Sequence, residues 1–270
     1  MGKGMVLSAV AVGAAAVLAG CSSSNYTAPG ATVLTDPSNV SYMLLPGAPA
    51  VPNGVLLSWT DANDSRITDY AVFARDSSSQ QWSEIGATTS NTFHDAGTPS
   101  PQYMVWGEDG AGDHSPGVAI AVSTAAPLPP PDTITSAAFN GAGELRWTDT
   151  PLASPNASQF SYYRVYSDSA TVSGGTTTCS GNLSDLAVEG STVSDVFVVT
   201  GLTNGDTRCY SVSTVAVGGQ ESSLGPFTVI TPSASDPTFD IAAAPNATVV
   251  VAHHKLAGRA TGKVVHTSKP

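Results

Sequence analysis

Lysine is almost missing from this 270-residue chain: after Lys3 the next is Lys255, and the residues between carry only arginine as a cation. All 21 acidic residues fall within that interval, and the formal net charge is -11. A body so poor in basic residues excludes the usual nucleic-acid binders, whose affinity comes largely from a cationic surface. Charge of either sign is scarce, at 11% of residues, and aromatics stand at 7%. Cysteine occurs three times, and the isolated pair Cys179 and Cys209 falls short of the ligands a structural zinc site needs. No Gly-x-Ser-x-Gly elbow, Walker-type glycine loop or neighbouring His and Cys is present, so the common nucleophile and phosphate-binding motifs are absent. No cofactor is implied. Long amphipathic helical periods are also lacking, whereas 26 Gly and 19 Pro accompany abundant Ser and Thr. That composition suits short strands joined by many turns.

What the chain does have is a repeat. Leu57-Ser58-Trp59-Thr60-Asp61 recurs 88 residues later as Leu145-Arg146-Trp147-Thr148-Asp149. In each copy apolar Leu and Trp alternate with polar residues, as on a strand with one face buried, and Asp closes the run at a turn. Around the first copy further alternations follow: Val40, Tyr42 and Leu44; Tyr70, Val72 and Ala74; Trp82 and Ile85; Phe93; Tyr103 and Val105; then Val118, Ile120 and Val122. Seven short strands at this spacing predict an all-β antiparallel sandwich.

The set Leu57, Trp59, Tyr70, Val72, Tyr103, Val105, Asp109, Gly112 and Ser115 resembles the fibronectin type III pattern. The second copy resembles it more loosely through Leu145, Trp147, Tyr163, Val165, Leu202, Gly205, Tyr210, Val212, Gly219 and Ser222. The resemblance implies two tandem immunoglobulin-like (fibronectin type III) sandwiches over residues 37–124 and 132–232, joined by a Pro-rich linker at 125–131 that reads as a stiff spacer. Trp-to-Tyr spacing grows from 11 residues in the first copy to 16 in the second.

The first twenty residues read as a targeting segment. Lys3 precedes an apolar run from Met5 to Ala19, which as a helix would extend about 22 Å, short of a bilayer core of about 30 Å. Leu18-Ala19-Gly20-Cys21 resembles the lipobox of bacterial lipoproteins, which implies a signal peptide at 1–20 and lipid attachment at Cys21. Several acyl chains there would give a firm membrane anchor, where one would not. Ser22 replaces the Asp that signals inner-membrane retention in some double-membraned bacteria, so the resemblance points to an outer membrane in the cell envelope. A tether follows at 21–36. With Cys21 assigned to lipid, Cys179 and Cys209 remain as a pair in an oxidising compartment, and a bridge between them would stabilise by roughly 3 to 4 kcal/mol. We expect it to staple a long excursion between Gly174 and Gly190.

Several residues are of types that can carry chemistry. Asp61, Asp64 and Asp69 lie close enough in sequence for a carboxylate pair and so for a hydrolase site, although solvated loop acids are the commoner case. Asp109-Gly110-Ala111-Gly112-Asp113 lacks the ligand spacing of a calcium loop and reads as a turn. His94 and His114 read as solvated turn residues. His253, His254 and His266 sit in a basic tail, 233–270, which reads as flexible; adjacent strand residues face opposite ways, so no metal site is assigned. Strand parity sends Phe73, Met104 and Trp106 outward from the first sandwich, as an apolar patch that either meets a partner or is covered by the tail or the second sandwich. The expectation is a non-enzymatic, lipid-anchored envelope protein whose modules bind an envelope protein or glycan or act as a spacer.

Overall fold

The computed structural model describes residues 33–46, 52–148, 157–183, 185–240, 242 and 246–251. Cys21 and the three tail histidines lie outside them. Seven strands make the first sandwich: β1 (Ser38–Leu44), β2 (Gly54–Thr60), β3 (Ile67–Arg75), β4 (Trp82–Thr88), β5 (Thr92–Ala96), β6 (Gln102–Asp109) and β7 (Val118–Ala121). Strands β1, β2 and β5 form one layer, and the four-stranded sheet β4-β3-β6-β7 forms the other. Between them Val40, Tyr42, Val55, Leu57, Trp59, Tyr70, Val72, Tyr103 and Val105 are buried. Trp59 meets Tyr70 edge to face at 5.3 Å between ring centroids, an arrangement that suits the aromatic quadrupoles.

The second sandwich repeats this order with additions. Its strands are β8 (Ile134–Phe139), β9 (Ala142–Trp147), β10 (Phe160–Ser173), β11 (Thr176–Cys179), β12 (Ala187–Thr192), β13 (Val196–Thr200), β14 (Arg208–Ala216), β15 (Gln220–Glu221), β16 (Thr228–Ile230) and β17 (Thr248–Val251). One layer runs β17-β13-β9-β8; in the other, β10 lies between β12 and β14, and β14 also pairs β16. Leu145, Trp147, Tyr163, Val165, Phe197, Val199, Tyr210 and Val212 fill the core, and Trp147 again meets its Tyr edge to face, at 5.3 Å. The fold is all-β: two tandem immunoglobulin-like sandwiches with the fibronectin type III strand order.

The two sandwiches are not held apart by their linker. Strand β15 pairs in parallel with β1, Tyr42 opposite Gln220 and Met43 opposite Glu221, so the first sandwich's three-stranded layer continues into the second's large sheet as one nine-stranded surface. A third apolar cluster of Met43, Leu56, Tyr166, Leu186 and Val188 is buried between them. Each such side chain contributes about 1.5–3 kcal/mol when fully withdrawn from water. Hence β2 is buried on both faces from Gly54 to Trp59, and the outward Ser58 of the repeat is as buried as its Trp. The Pro-rich segment is strapped down rather than free: Leu128 is buried, Pro129 accepts a hydrogen bond from the Thr214 hydroxyl, and the Gln220 amide donates to the carbonyls of Ser123 and Ala125. Composition predicts the stiffness of such a segment but not what it lies against.

Polar groups also close the joint. The Glu221 carboxylate accepts hydrogen bonds from the hydroxyls of Ser41 at 2.7 Å, Tyr166 at 2.6 Å and Ser213, and lies 3.7 Å from Arg164 Nε. Arg164 and Glu221 side chains are both fully buried. The Arg164 guanidinium also donates to the Asn39 carbonyl and, at 2.9 Å, to the Tyr162 hydroxyl. The carboxylate is compensated by three hydroxyls and the nearby cation, whereas Arg164 makes both hydrogen bonds through Nη2 and leaves Nε and Nη1 buried without a hydrogen-bond partner, so the pair is a costly element of the joint.

Two further expectations meet differences. The excursion after Gly174 is not a loop: β10 runs on to Ser173, turns through Gly174 and Gly175 at positive φ, and returns as β11. The Thr and Val content of this stretch favours strand on both sides of the glycine pair. Cys179 ends that hairpin and is disulfide-bonded to Cys209 of β14, with Cα atoms 5.8 Å apart. The described part of the tail is docked: Asn140 N donates to Pro237 O at 3.0 Å, Phe239 packs on Phe139 at 5.2 Å, and β17 joins β13.

Candidate functional site

Strands β3 and β6 place Phe73, Met104 and Trp106 together on the outer face of the first sandwich. Phe73 is opposite Met104 in the ladder, and Ala71 is opposite Trp106. Inward neighbours Val72 and Val105 are wholly buried, which fixes the parity that sends these three outward. All three are half-buried. The Phe73 and Trp106 rings lie 4.1 Å apart, and His114 stacks on Trp106 at 4.4 Å with the planes 17° apart. The indole N–H donates to Glu108 Oε1 at 2.8 Å. Trp106 therefore contacts two rings and has its one donor satisfied. Met104 runs alongside Gly117, whose φ of 91° and missing side chain give it room: a Cβ there would sit 3.2 Å from Met104 Sδ. At the edge of the same face Arg75 lies over Trp82, its guanidinium 5.8 Å from the ring centre, and donates to Gln102.

His114 is exposed, as expected of a turn residue, but its ring is stacked on Trp106 rather than free. It forms an isolated bridge with Glu108, and the next residue locks the turn, Ser115 N to Gly107 O at 2.9 Å and Gly107 N to Ser115 Oγ at 3.0 Å. The second sandwich has the same lock, Ser222 N to Thr214 O at 2.9 Å and Thr214 N to Ser222 Oγ at 3.0 Å. With the ladder registers this aligns the two outer faces residue by residue. Phe73 corresponds to Tyr166, Ala71 to Arg164, Met104 to Ser211, Trp106 to Ser213 and His114 to Glu221. In the second sandwich these positions are fully buried, and three of them, Tyr166, Arg164 and Glu221, bond Ser58, Asn39 and Ser41 of the first sandwich. In the first they carry the half-exposed aromatic stack.

The three aspartates are not brought together as a reactive pair. Asp61 accepts from the Tyr70 hydroxyl at 2.5 Å. Asp64 is bridged to Arg66 at 2.6 Å and also accepts the backbone N–H groups of Arg66 and Thr35. The Arg66 hydrogen bond, foremost, holds its carboxyl well below the ordinary carboxylate range. Asp69 accepts from the Thr68 hydroxyl. Asp109 turns its carboxylate onto the N–H groups of Ala111 and Asp113, which makes that loop a turn stapled by its own first residue. His94 lies within β5, exposed and opposite Leu56.

A cleft of about 560 Å³ opens at the base of the disulfide-closed hairpin, lined by Asp168, Val172, Asp185, Asp206, Thr207 and Arg208 among others. Asp168 is buried there and already accepts the N–H groups of Ser169 and Gly181. Among the described residues no three His, Cys, Asp or Glu side chains are placed to hold a metal ion.

No family model matches the sequence, and no curated protein matches it. Solved structures that resemble the fold include the FN1-FN3 domains of chicken CNTN1, at 12% identity over 74% of this chain and 69% of that one, with a TM-score of 0.32. A two fibronectin type III domain segment from chicken tenascin is 17% identical over 73% of this chain and 99% of that one, with a TM-score of 0.27. The sandwich class itself is carried by the strand order described above.

Proposed function

We propose that this chain is a lipid-anchored cell-envelope protein, held to the membrane through Cys21, whose fibronectin type III-like modules act as a non-enzymatic binding element. The observation that carries the binding role is the aromatic stack of Phe73, Trp106 and His114 with Met104 beside it. It occupies the positions which, in the second sandwich, are used to hold another sandwich. A surface of this composition, left half-exposed, suits a partner contact. Between the two classes of partner, protein fits better than glycan: a sugar ring would stack on an open indole face, and Trp106 already has His114 stacked on it and the tilted Phe73 ring 4.1 Å away. The anchor reading rests on the lipobox-like residues before Cys21 and favours the outer membrane.

Hydrolysis at Asp61, Asp64 and Asp69 is the weaker reading, since each carboxylate is committed to a different Tyr, Arg or Thr. Two measurements test the proposal together. Cys21→Ser should move the protein from the membrane to the soluble fraction; unchanged fractionation would remove the anchor. Met104→Glu places a charge on the patch without touching the core, and should abolish retention of envelope protein by the immobilised chain. Equal retention by wild type and variant would place binding elsewhere.

A further inference from the structure

Strand β17 stands apart from the rest of the second sandwich, whose strand set is complete at Ile230 before the chain returns to the β13 edge at Thr248. It pairs there in parallel, Phe197 opposite Thr248, Val198 opposite Val249, Val199 opposite Val250 and Thr200 opposite Val251. The seat it fills is shaped. Val250 is 3% exposed and belongs to the core cluster, where the absent side chain of Gly190 leaves it space: a Cβ on Gly190 would come within 3.3 Å of Val250 Cγ1. A Cβ on Gly201 would approach Val251 Cγ1 to 3.1 Å. Two threonines from neighbouring strands grip the occupant, Thr200 Oγ1 donating to Val250 O at 2.9 Å and Thr192 bonding the Thr248 hydroxyl at 2.7 Å.

Main-chain pairing along an edge, a pocket for one side chain and hydroxyl clamps are the elements by which sheets recognise extended peptides. We infer that the β13 edge is a strand-acceptor site specific for an extended segment with a β-branched aliphatic residue at the Val250 position. Thr248–Val251 is its occupant in cis, and the same segment of a second copy is its ligand in trans. The geometry permits the exchange. Among the described residues the last side-chain packing contact given before the strand is Phe239 on Phe139, and the eight residues from Asp240 to Ala247 reach at most about 26 Å. Only one side chain of the strand enters the core, so little packing is lost in passing from one seat to another. Exchange of identical elements between protomers creates a dimer without new contacts.

Mass action sets the conditions. A tethered strand faces its seat at an effective concentration on the order of millimolar, so the cis form dominates in dilute solution and exchange appears in concentrated or refolded protein. The first test uses the full chain with Val250→Asp, which puts a carboxylate at the core position, and a fluorescent peptide of the wild-type sequence 246–252. The peptide should bind this variant saturably and bind the wild type about 100-fold more weakly, because there the seat is filled. No binding to a folded Val250→Asp chain, or equal binding by a peptide carrying Val250→Asp, would overturn the acceptor site. If Val250→Asp proves unfolded, Val250→Ala with Thr248→Ala serves in its place under the same criteria. The second test is light scattering after refolding at high concentration: wild type should yield a dimer that reverts slowly on dilution. A wild type that remains monomeric at every concentration would refute exchange between copies.

Discussion

Trp106 and Ser213 occupy the same position in the two sandwiches, opposite Ala71 and Arg164 respectively, yet one is half-exposed between Phe73 and His114 and the other is buried beneath Glu221. The same backbone frame has thus been used once as an internal joint and once as an outer face. The exchange of Ser for Trp and Glu for His converts a hydrogen-bonded contact into a stack of rings.

That stack alters what substitution at Trp106 should do. Parity alone suggests a patch residue whose removal leaves stability nearly intact. With two ring contacts worth about 0.5–1.5 kcal/mol each, Trp106→Ala should instead cost about 1–3 kcal/mol. His114→Ala, which removes one contact, should cost about half as much. Urea unfolding of the two variants checks this, and a Trp106→Ala midpoint equal to wild type would mean that the rings touch without stabilising.

Arg164 and Glu221 support a second prediction. Arg164→Met leaves the Glu221 carboxylate buried with hydroxyl partners only, and should cost about 3–5 kcal/mol, as removal of one member of a buried pair does. Adding Glu221→Leu should recover a large part of that loss, since the uncompensated charge is then gone. Thermal melts of the single and double variants decide it. A double variant less stable than Arg164→Met would show that the hydroxyl network around Glu221, and not the charge pair, holds the joint.

The shared sheet gives Trp59→Ala a different signature from that of an independent domain. Trp59 is fully buried, so its loss should cost about 3–5 kcal/mol. Because β1 and β2 also bury Met43 and Leu56 against the second sandwich, both sandwiches should unfold together in one transition. Calorimetry is the appropriate measurement, and two separate transitions, with only the lower one displaced, would show that the joint opens before either core melts.

Much of the scaffold was legible because it obeys local rules. Leu57, Trp59, Tyr70 and Val72 alternate with period two, and Gly112 with Ser115 recurs as Gly219 with Ser222 at the same turn. The aromatic patch followed from parity on β3 and β6. The joint was not legible, because it depends on which outer face meets which: Ser58, an outward polar residue by pattern, is buried only because Tyr166 bonds it from the other sandwich at 2.8 Å. The stacking of His114 was not legible for a related reason, since its neighbour Trp106 lies across a turn. One signal could have found it, the constant offset between the two Gly and Ser pairs, which maps His114 onto Glu221. Strand β17 falls within a tail whose composition reads as flexible, and nothing local says that Thr248–Val251 lies beside β13.

Alkaline solution probes the two tyrosine anchors of the first sandwich. Burial first, and then hydrogen bonding to Asp61 and Asp95, push the phenols of Tyr70 and Tyr103 above their ordinary value of 10.0. A phenol raised in the folded state is held neutral there, so its stabilising contribution is whole below the unfolded value. As pH climbs above 10.0 the unfolded phenol ionises while the folded one does not, and stability is lost progressively until the folded value is reached. Wild-type stability should therefore fall steeply with pH above 10.0. The Tyr103→Phe variant has one titrating anchor fewer, and should start less stable by about 1.5–3 kcal/mol for the lost hydrogen bond to the Asp95 carboxylate, yet decline along a shallower slope. Urea midpoints followed from neutral to strongly alkaline pH measure both quantities, and parallel curves for wild type and Tyr103→Phe would show that this phenol is already ionised, or already exposed, before the fold gives way.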